Sequence, residues 1–306
     1  MFCIQRTSLL FKNYYPIFLQ IVKFRLLYYQ GGDIIKIYIS ADIEGVSGVV
    51  HKEHTARDGK EHDRARMLMT DEINSAIQGA INGGASEIIV NDSHGTMRNI
   101  YQEQLSPEAK LILGSPKQLQ MMEGIDETYD AALFVGYHTR MGQNGILNHT
   151  FNGRVIRSIK INDFEYGEFG LNSLIAGYYN VPVVFVSGCN LLAKEAIDLI
   201  PDIQTGIVKE TINRMTALNE HPYNSKNIIK EKSETGVLKR NKIKPLSLDS
   251  PFTVSVEFLN TGLADAAEIL PIVKREDPLT VTFSSSNIVD SYRIIRSLIM
   301  MADYIF

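Results

Sequence analysis

The chain has 306 residues, 44% of them hydrophobic, and a formal net charge of -4. This composition supports a substantial core in one large or two modest domains, whereas the slightly acidic balance excludes the basic surface that nucleic-acid binding requires. The two cysteines, Cys3 and Cys189, form neither a disulfide framework nor a closely spaced metal-binding pair. We therefore expect a reduced, cytoplasmic protein that acts on small molecules or peptides and that holds any metal with histidines and carboxylates.

Residues 1–34 differ in composition from the rest of the chain. They are rich in Leu, Ile, Phe and Tyr, but Lys12, Lys23 and Arg25 interrupt every apolar run before it reaches the roughly 20 residues of a membrane-spanning helix. No small-residue cleavage site of a signal peptide follows, so we expect no stable membrane association. The tripeptide at 31–33, Gly-Gly-Asp, is what a purine-rich ribosome-binding sequence encodes in frame. We therefore predict that residues 1–34 are an N-terminal extension outside the functional protein.

Two carboxylates follow the first predicted strand of the remaining chain. Residues 37–43 are almost continuously apolar, which is typical of a strand buried on both faces of a mostly parallel sheet. Asp42 and Glu44 are two residues apart, so on an extended chain their side chains point to the same face. Gly45 and Gly48 then allow the chain to turn sharply. A solvated loop would explain the same residues, so the two acids alone do not establish a site.

Two later strands end in histidines. The apolar strand that begins at Ser86 runs into His94, and the strand that begins at Ala131 runs into His138. Each histidine alone is more typical of a hydrogen-bonded structural residue. However, the carboxyl ends of parallel strands lie along one edge of an α/β sheet, where ligands bind. Imidazoles and carboxylates together are ordinary zinc ligands, so the pattern predicts a metal site at this edge.

Two further candidates follow the third of these strands. His149 lies at the end of a glycine-containing loop, residues 141–150. Glu168 precedes the predicted helix Ser173–Tyr179, where a carboxylate is also favoured by the helix dipole, by under about 1 kcal/mol. A glutamate at a helix start therefore has a structural explanation as well as a functional one.

The remaining hydrophobic pattern alternates between helical and strand periods, which predicts an α/β fold with a mostly parallel sheet flanked by helices and a smaller C-terminal α/β lobe. The other predicted helices are Asp63–Ile81, Gln118–Met122, Leu191–Leu199, Thr205–Leu218, Lys226–Lys244 (with a linker), Leu263–Leu270 and Asn287–Tyr304. The other predicted strands are Leu111–Leu113, Val155–Ile161, Val181–Gly188, Phe252–Phe258 and Thr280–Ser284.

Seven short motifs occur in the order S-A-D-I-E-G-V-S-G, V-N-D-S-H, G-Y-H, N-H-T, I-N-D, G-E-x-G-L-N and A-G-Y-Y-x-V-P-V. With this order and spacing, the chain from about Lys36 to the C terminus resembles the zinc D-aminopeptidases associated with bacterial dipeptide-transport operons. The resemblance implies a hydrolase, a zinc metallopeptidase that removes N-terminal D-amino acids from short peptides. The preference for D-residues rests on the resemblance alone.

The resemblance also implies a site with two zinc ions per subunit. Five positions match the metal ligands of the family, namely Asp42, the pair Glu44 and His94, and the pair His138 and Glu168. By the resemblance, the aspartate would bridge both ions and each pair would complete one. His149 matches the catalytic residue of the family, which is described there as a nucleophile. A histidine in this position can equally act as a general base or acid, or as a donor to the oxyanion.

Members of this family are ring-like oligomers that enclose their sites, so the resemblance implies a homo-oligomer, with a decamer as one assembly that the sequence alone does not fix. We assign residues 35–190 to an α/β metal-binding catalytic domain. Residues 191–306 are then a C-terminal lobe that serves oligomerisation and closure of the site. The expected partners are a short peptide substrate and other copies of the chain.

Two other functions remain open at the level of sequence. The same two-metal site could belong to an amidase or a phosphoesterase, because a fold does not determine its substrate. Phosphate chemistry would add basic donors, for which Arg140 and Arg154 are the nearby candidates. The chain could also be a non-catalytic peptide-binding partner of a transporter, in which the metal is structural.

Overall fold

The computed structural model describes residues 34–304, and one compact unit begins at Ile35. The predicted N-terminal extension, apart from Ile34, therefore lies outside the described residues. None of the helices between residues 34 and 304 combines the length and the apolarity that are needed to cross a bilayer.

The described part of the chain alternates strands and helices, as predicted. Its α-helices are α1 (Lys52–Thr55), α2 (His62–Asn82), α3 (Glu168–Tyr178), α4 (Asn190–Leu199), α5 (Pro222–Leu238), α6 (Thr261–Glu268) and α7 (Ile288–Asp303). Its strands are β1 (Lys36–Ala41), β2 (Glu87–Asp92), β3 (Ala109–Ile112), β4 (Ala131–Val135), β5 (Ile156–Ile161), β6 (Phe164–Glu165), β7 (Val183–Cys189), β8 (Gln204–Asn213), β9 (Thr216–Asn219), β10 (Phe252–Phe258), β11 (Lys274–Arg275) and β12 (Thr280–Ser285). The predicted short helix at Gln118–Met122 is a single 3-10 turn, Gln120–Met122.

The larger sheet confirms the predicted mostly parallel architecture. Its seven strands follow the order β3-β2-β1-β4-β7-β8-β9, and every neighbouring pair except β8 and β9 is parallel. β1 pairs with β2 on one side and with β4 on the other, and the side chains of Ile37, Tyr38 and Ile39 are fully buried. Helices α2 and α5 pack against each other, α2 also contacts β1 and β4, and α5 also contacts β7 and β8. The continuous apolar pattern of β1 thus follows from its central place in the sheet.

The smaller sheet is antiparallel and has the order β11-β12-β10-β5-β6. Its pairing of β5 with β10 joins Ile159 to Val256, almost one hundred positions later in the chain. Each sheet takes strands from both sides of residue 190. The roles assigned to residues 35–190 and 191–306 stay a prediction.

The predicted helix Thr205–Leu218 is wrong. This segment forms β8 and β9, which are joined by a turn at Arg214 and Met215. The residues that a helix would have turned towards a core, Ile207 among them, are exposed, whereas Val208 is buried. β-Branched residues are frequent in this segment and favour a strand, and the parallel pairing with β7 decides in its favour.

Candidate metal centre

The polar residues that follow β1, β2 and β4 converge at the carboxyl edge of the larger sheet. The loop before β5 and the first turn of α3 reach the same place. Six side chains meet there, namely Asp42, Glu44, His94, His138, His149 and Glu168. These are all six of the residues singled out from the sequence. The side chains of the three acids and of His138 are almost fully buried, whereas 14% of the His94 side chain and 19% of the His149 side chain are exposed.

The loops after β1 and β4 approach each other at the level of the backbone. The Asp42 amide donates to the Val135 carbonyl at 2.8 Å, and the Gly45 amide donates to the Gly136 carbonyl at 2.7 Å. A Cβ on Gly45 would lie 1.9 Å from the Tyr137 carbonyl oxygen, and Gly136 has a positive φ of 71°. Larger residues would separate the two loops, so the glycines keep the carboxylates of one loop close to the histidine of the other.

His94 presents one ring nitrogen to the two acids. Its Nδ1 lies 3.1 Å from Oδ1 of Asp42 and 3.0 Å from Oε2 of Glu44, while its Nε2 lies 2.9 Å from the Thr55 carbonyl oxygen. In the neutral ring, this carbonyl retains the proton on Nε2. The lone pair of Nδ1 then faces the carboxylates, which is the usual arrangement of a metal-binding histidine held by a backbone carbonyl.

His138 has the complementary arrangement. Its Nδ1 lies 3.0 Å from the Thr139 carbonyl oxygen, which keeps the proton on that nitrogen. Its Nε2 lies 3.4 Å from Oδ2 of Asp42 and 3.4 Å from Oε1 of Glu168. The two oxygens of Asp42 therefore face different histidines, Oδ1 towards His94 and Oδ2 towards His138.

His149 lies against His138 and is held by its own loop. The two rings stack with their centroids 4.1 Å apart and their planes 11° from parallel. The Nδ1 of His149 lies 2.9 Å from the Leu147 carbonyl oxygen, and its Nε2 lies 3.7 Å from Oε1 of Glu168. Glu168 itself accepts a hydrogen bond from the Phe151 amide at 2.7 Å. The ring of His149 is thus oriented with Nε2 towards the cluster.

Burial and mutual repulsion make the cluster a strong attractor of positive charge. Burial, reinforced by the charge of Glu44, raises the pKa of Asp42 to about 8. Burial would also raise the pKa of Glu168, but the charge of His138 outweighs it and lowers that pKa. Burial would lower the pKa of His138, but Glu168 and Asp42 raise it to about 10. Burial, followed by repulsion from His138, lowers the pKa of His149.

The donor atoms fit metal ions. Three buried atoms of the cluster make no hydrogen bond within the described residues: Oδ2 of Asp42, Oε2 of Glu44 and Nε2 of His138. Ligand atoms of Asp42, Glu44 and His138 lie within 4.8 Å of one another, and so do those of His138, His149 and Glu168. Carboxylate oxygens and imidazole nitrogens at this spacing form a donor set that zinc prefers, so the cluster can hold metal ions in two adjoining places.

Sequence reasoning missed the residue that holds the loop after β1. Lys209 on β8 is 1% exposed, and its Nζ donates to the carbonyl oxygens of Glu44 at 2.6 Å, Val46 at 2.9 Å and Val49 at 2.6 Å. Burial lowers the pKa of this lysine to about 8. A single lysine within an apolar strand gave no signal of this role, because the three carbonyls belong to a loop more than 150 residues earlier.

The loop that carries His94 has a similar support. The Asp92 carboxylate accepts from the amides of Asn99 at 2.5 Å and Ile100 at 2.8 Å, and Lys117 Nζ donates to the Asp92 carbonyl oxygen at 2.7 Å. Asn99 in turn donates from its side chain to the His94 carbonyl oxygen at 2.7 Å. Asp92 therefore supports the loop, and these hydrogen bonds of its carboxylate lie outside the metal cluster.

Lys209→Met is expected to lower the free energy of unfolding by about 3 kcal/mol and to weaken zinc binding at least about tenfold. Three buried carbonyl oxygens would lose their donor, and each unpaired group costs about 1–3 kcal/mol, partly recovered by relaxation of the loop. Urea unfolding and zinc titration against a competing chelator measure the two effects. The matched control is Lys194→Met at an exposed position on α4. Unchanged zinc affinity in Lys209→Met would contradict the supporting role.

Comparisons with known proteins agree on one family. A family model described as D-aminopeptidase matches residues 35–297, a range that contains all six clustered residues. A D-aminopeptidase of Bacillus subtilis (strain 168) is 38% identical over 260 residues, which cover 85% of this chain and 94% of that protein. A solved structure, that of the zinc-dependent D-aminopeptidase DppA from Bacillus subtilis, described as a self-compartmentalizing protease, matches with a TM-score of 0.86. It is 37% identical, and the match covers 88% of this chain and 98% of that chain.

Proposed function

The chain belongs to the D-aminopeptidase family and is a metal-dependent aminopeptidase, and from this premise we propose that it removes N-terminal D-amino acids from short peptides with two zinc ions in the described cluster. In this proposal Glu44 and His94 would hold one ion, His138 and Glu168 would hold the other, and Asp42 would contribute to both. The supporting observation is the division of the Asp42 carboxylate, whose two oxygens face the two histidines at 3.1 and 3.4 Å.

Zinc ions held by these residues would supply Lewis acidity for the hydrolysis. The side chains of the protein carry out proton transfer and orientation. We assign the movement of the proton to His149, because the Leu147 carbonyl at 2.9 Å fixes its ring and leaves Nε2 directed at the cluster. From this position Nε2 can accept a proton from the attacking water and return it to the departing amine. The stacked ring of His138 restricts the motion of His149 and keeps Nε2 in place.

The buried side of the centre is tied to the last helix. Tyr292 on α7 donates to Oδ1 of Asn172 at 2.8 Å, and Nδ2 of Asn172 donates to the Tyr137 hydroxyl at 2.9 Å. The Tyr137 hydroxyl lies 2.7 Å from Oγ of Ser40 on β1. This buried chain of hydrogen bonds supports the proposal that the C-terminal part of the chain closes and stabilises the site.

We also propose a cytoplasmic homo-oligomer. The solved relative is described as self-compartmentalizing, and three apolar side chains at the β8–β9 hairpin, those of Ile212, Met215 and Leu218, are exposed in the single chain. A second copy that covers them would remove apolar surface from water. Cys189 is a free buried cysteine, which suits a reducing compartment. A decamer is one assembly that this proposal allows.

The phosphoesterase alternative gains no support from its two candidate arginines. Arg140 pairs with Glu165 at 2.6 Å, and Arg154 lies 3.5 Å from Asp303. Both guanidinium groups are therefore engaged by carboxylates. The alternative of a non-catalytic peptide-binding protein does not account for His149, whose Nε2 is directed at the cluster although the other residues suffice to hold two ions.

Turnover of D-Ala-D-Ala and L-Ala-L-Ala by the zinc-loaded protein, measured side by side, tests the proposed function. We expect release of D-alanine at least about 100-fold faster than release of L-alanine, and loss of both activities in a chelator, because the Lewis acid contributes several kcal/mol. Readdition of zinc after removal of the chelator should restore turnover. Cleavage of neither dipeptide by protein with two bound zinc ions would refute the peptidase assignment and direct attention to other amides or esters.

A further inference from the structure

A surface cleft of about 650 Å³ lies beside the loop that carries the catalytic histidine. One wall is the loop itself, with residues 141–144 and Asn148. The opposite walls are Arg157 on β5 and residues 212–214 at the tip of the β8–β9 hairpin. Of its lining residues, Ile212 also belongs to the apolar hairpin surface proposed above for contact between copies, whereas the arginines of the cleft have no role so far.

The cleft is positively charged, and its lining combines the apolar side chains of Met141 and Ile212 with polar groups. No carboxylate lines it among the described residues, and amide side chains alternate with the guanidinium groups of Arg157 and Arg214. Arg214 donates from Nε to the Asn148 side-chain oxygen at 2.9 Å. The side chain of Arg157 is exposed and has no hydrogen bond or ion pair within residues 34–304. A Cβ on Gly142 would lie 3.3 Å from Nη1 of Arg157, so the guanidinium group extends over the loop at a position without a side chain.

The cleft and the metal centre are two ends of the same short loop. Asn148 lines the cleft, and the next residue is His149 in the cluster. Met141 lines the cleft three residues after His138, and an extended chain spans at most about 3.3–3.6 Å per residue. The cleft therefore begins within about 11 Å of the His138 backbone, roughly the length of three extended peptide residues.

We propose that this cleft binds the C-terminal carboxylate of the peptide substrate, with Arg157 as its main partner and Arg214 as the second. The inference rests on the proposed aminopeptidase function and adds the substrate class, short peptides with a free C terminus. A guanidinium group without a partner matches a carboxylate in charge and in its paired hydrogen-bond geometry. The metal centre binds the N-terminal residue of the peptide, and the arginines bind its C-terminal carboxylate. The distance between the two sites therefore determines which peptide length binds best.

The test compares D-Ala-D-Ala and D-Ala-D-Ala-D-Ala, each as the free acid and as the C-terminal amide, on the zinc-loaded wild type and on Arg157→Gln. The matched control is Arg154→Gln, an exposed arginine outside the cleft. Arg214→Gln is a poorer probe because Arg214 also holds Asn148 beside the catalytic histidine. At one of the two lengths, we expect the wild type and the control to show a KM about tenfold lower for the acid than for the amide. In Arg157→Gln this difference should vanish, with kcat changed less than about twofold.

Calorimetric binding of the same peptides to chelator-treated protein separates this proposal from the proposed function. Tighter binding of the acid that depends on Arg157, without hydrolysis by the zinc-loaded enzyme, would refute the peptidase but retain the carboxylate site. Hydrolysis with no preference for the acid at either length, or a preference that survives in Arg157→Gln, would overturn the carboxylate site and leave the peptidase intact. A change of oligomeric state in Arg157→Gln, measured by sedimentation, with the preference unaltered would also overturn it and identify the cleft as a contact between copies.

Discussion

Asp42→Asn is expected to lower kcat/KM more than about 10³-fold and to reduce bound zinc from two ions per chain to one or none. The side chain faces both halves of the cluster, with Oδ1 3.1 Å from the His94 ring and Oδ2 3.4 Å from the His138 ring. An asparagine keeps the shape but offers one oxygen and no charge. Lewis-acid stabilisation is worth several kcal/mol, and each 1.36 kcal/mol corresponds to about a factor of ten.

The same substitution should not destabilise the metal-free protein. An acid whose pKa rises to about 8 on folding is ionised at pH 7 mainly when unfolded, so its ionisation favours unfolding. The neutral amide removes that penalty, and metal-free Asp42→Asn should therefore melt no lower than the metal-free wild type. Zinc content is measured by elemental analysis, kcat/KM by steady-state kinetics and stability by thermal melting. The control is Asp198→Asn on the exposed face of α4. Two tightly bound ions in Asp42→Asn would exclude the bridging role.

His149→Ala is expected to lower kcat by about 10²–10⁴-fold, the usual contribution of a general acid or base, while zinc content stays at two ions per chain. The side chain lies at the edge of the cluster, with Nε2 3.7 Å from Glu168 and the ring stacked on His138. Its removal leaves the other five residues in place. His221→Ala, at an exposed position at the start of α5, is the matched histidine control.

Zinc content decides between two roles for this histidine. His149 also belongs to a group of potential ligands with His138 and Glu168. A variant that loses one zinc ion together with its activity would make His149 a ligand and remove it from proton transfer. Turnover at the wild-type rate would remove it from the mechanism altogether. A bell-shaped pH profile of kcat that loses one limb in His149→Ala would support the transfer of a proton.

The strands that carry the metal cluster could be predicted because their patterns are local. β1 and β4 are buried on both faces and therefore appear as continuous apolar runs, and Asp42 and His138 follow these two runs closely. The convergence of Asp42, Glu44, His94 and His138 then follows from the parallel order of β2, β1 and β4. The individual roles of the six residues stay predictions, which the substitutions above test.

The features that escaped prediction depend on partners far away in the chain. β8 has apolar residues at spacings that suit a helix, and only its pairing with β7 identifies it as a strand. Lys209 resembles an ordinary surface lysine until its three carbonyl partners are known. The cleft beside Arg157 brings β5 together with the hairpin tip more than 50 residues later. Composition and periodicity carry no information on contacts between residues that are distant in the sequence.

The pairing of β5 with β10 has a consequence for synthesis on the ribosome. All six cluster residues precede residue 169, but β10 begins 91 positions after β5 ends, since 252 - 161 = 91. At about 5–20 residues per second, translation takes roughly 5–18 s to supply the missing strand. From residue 168 onwards in that interval the nascent chain carries every candidate ligand, while one edge of β5 remains unpaired. A ribosome that stalls before residue 252 would therefore hold a chain with a complete set of donors and an exposed strand edge, a substrate for chaperones rather than an enzyme.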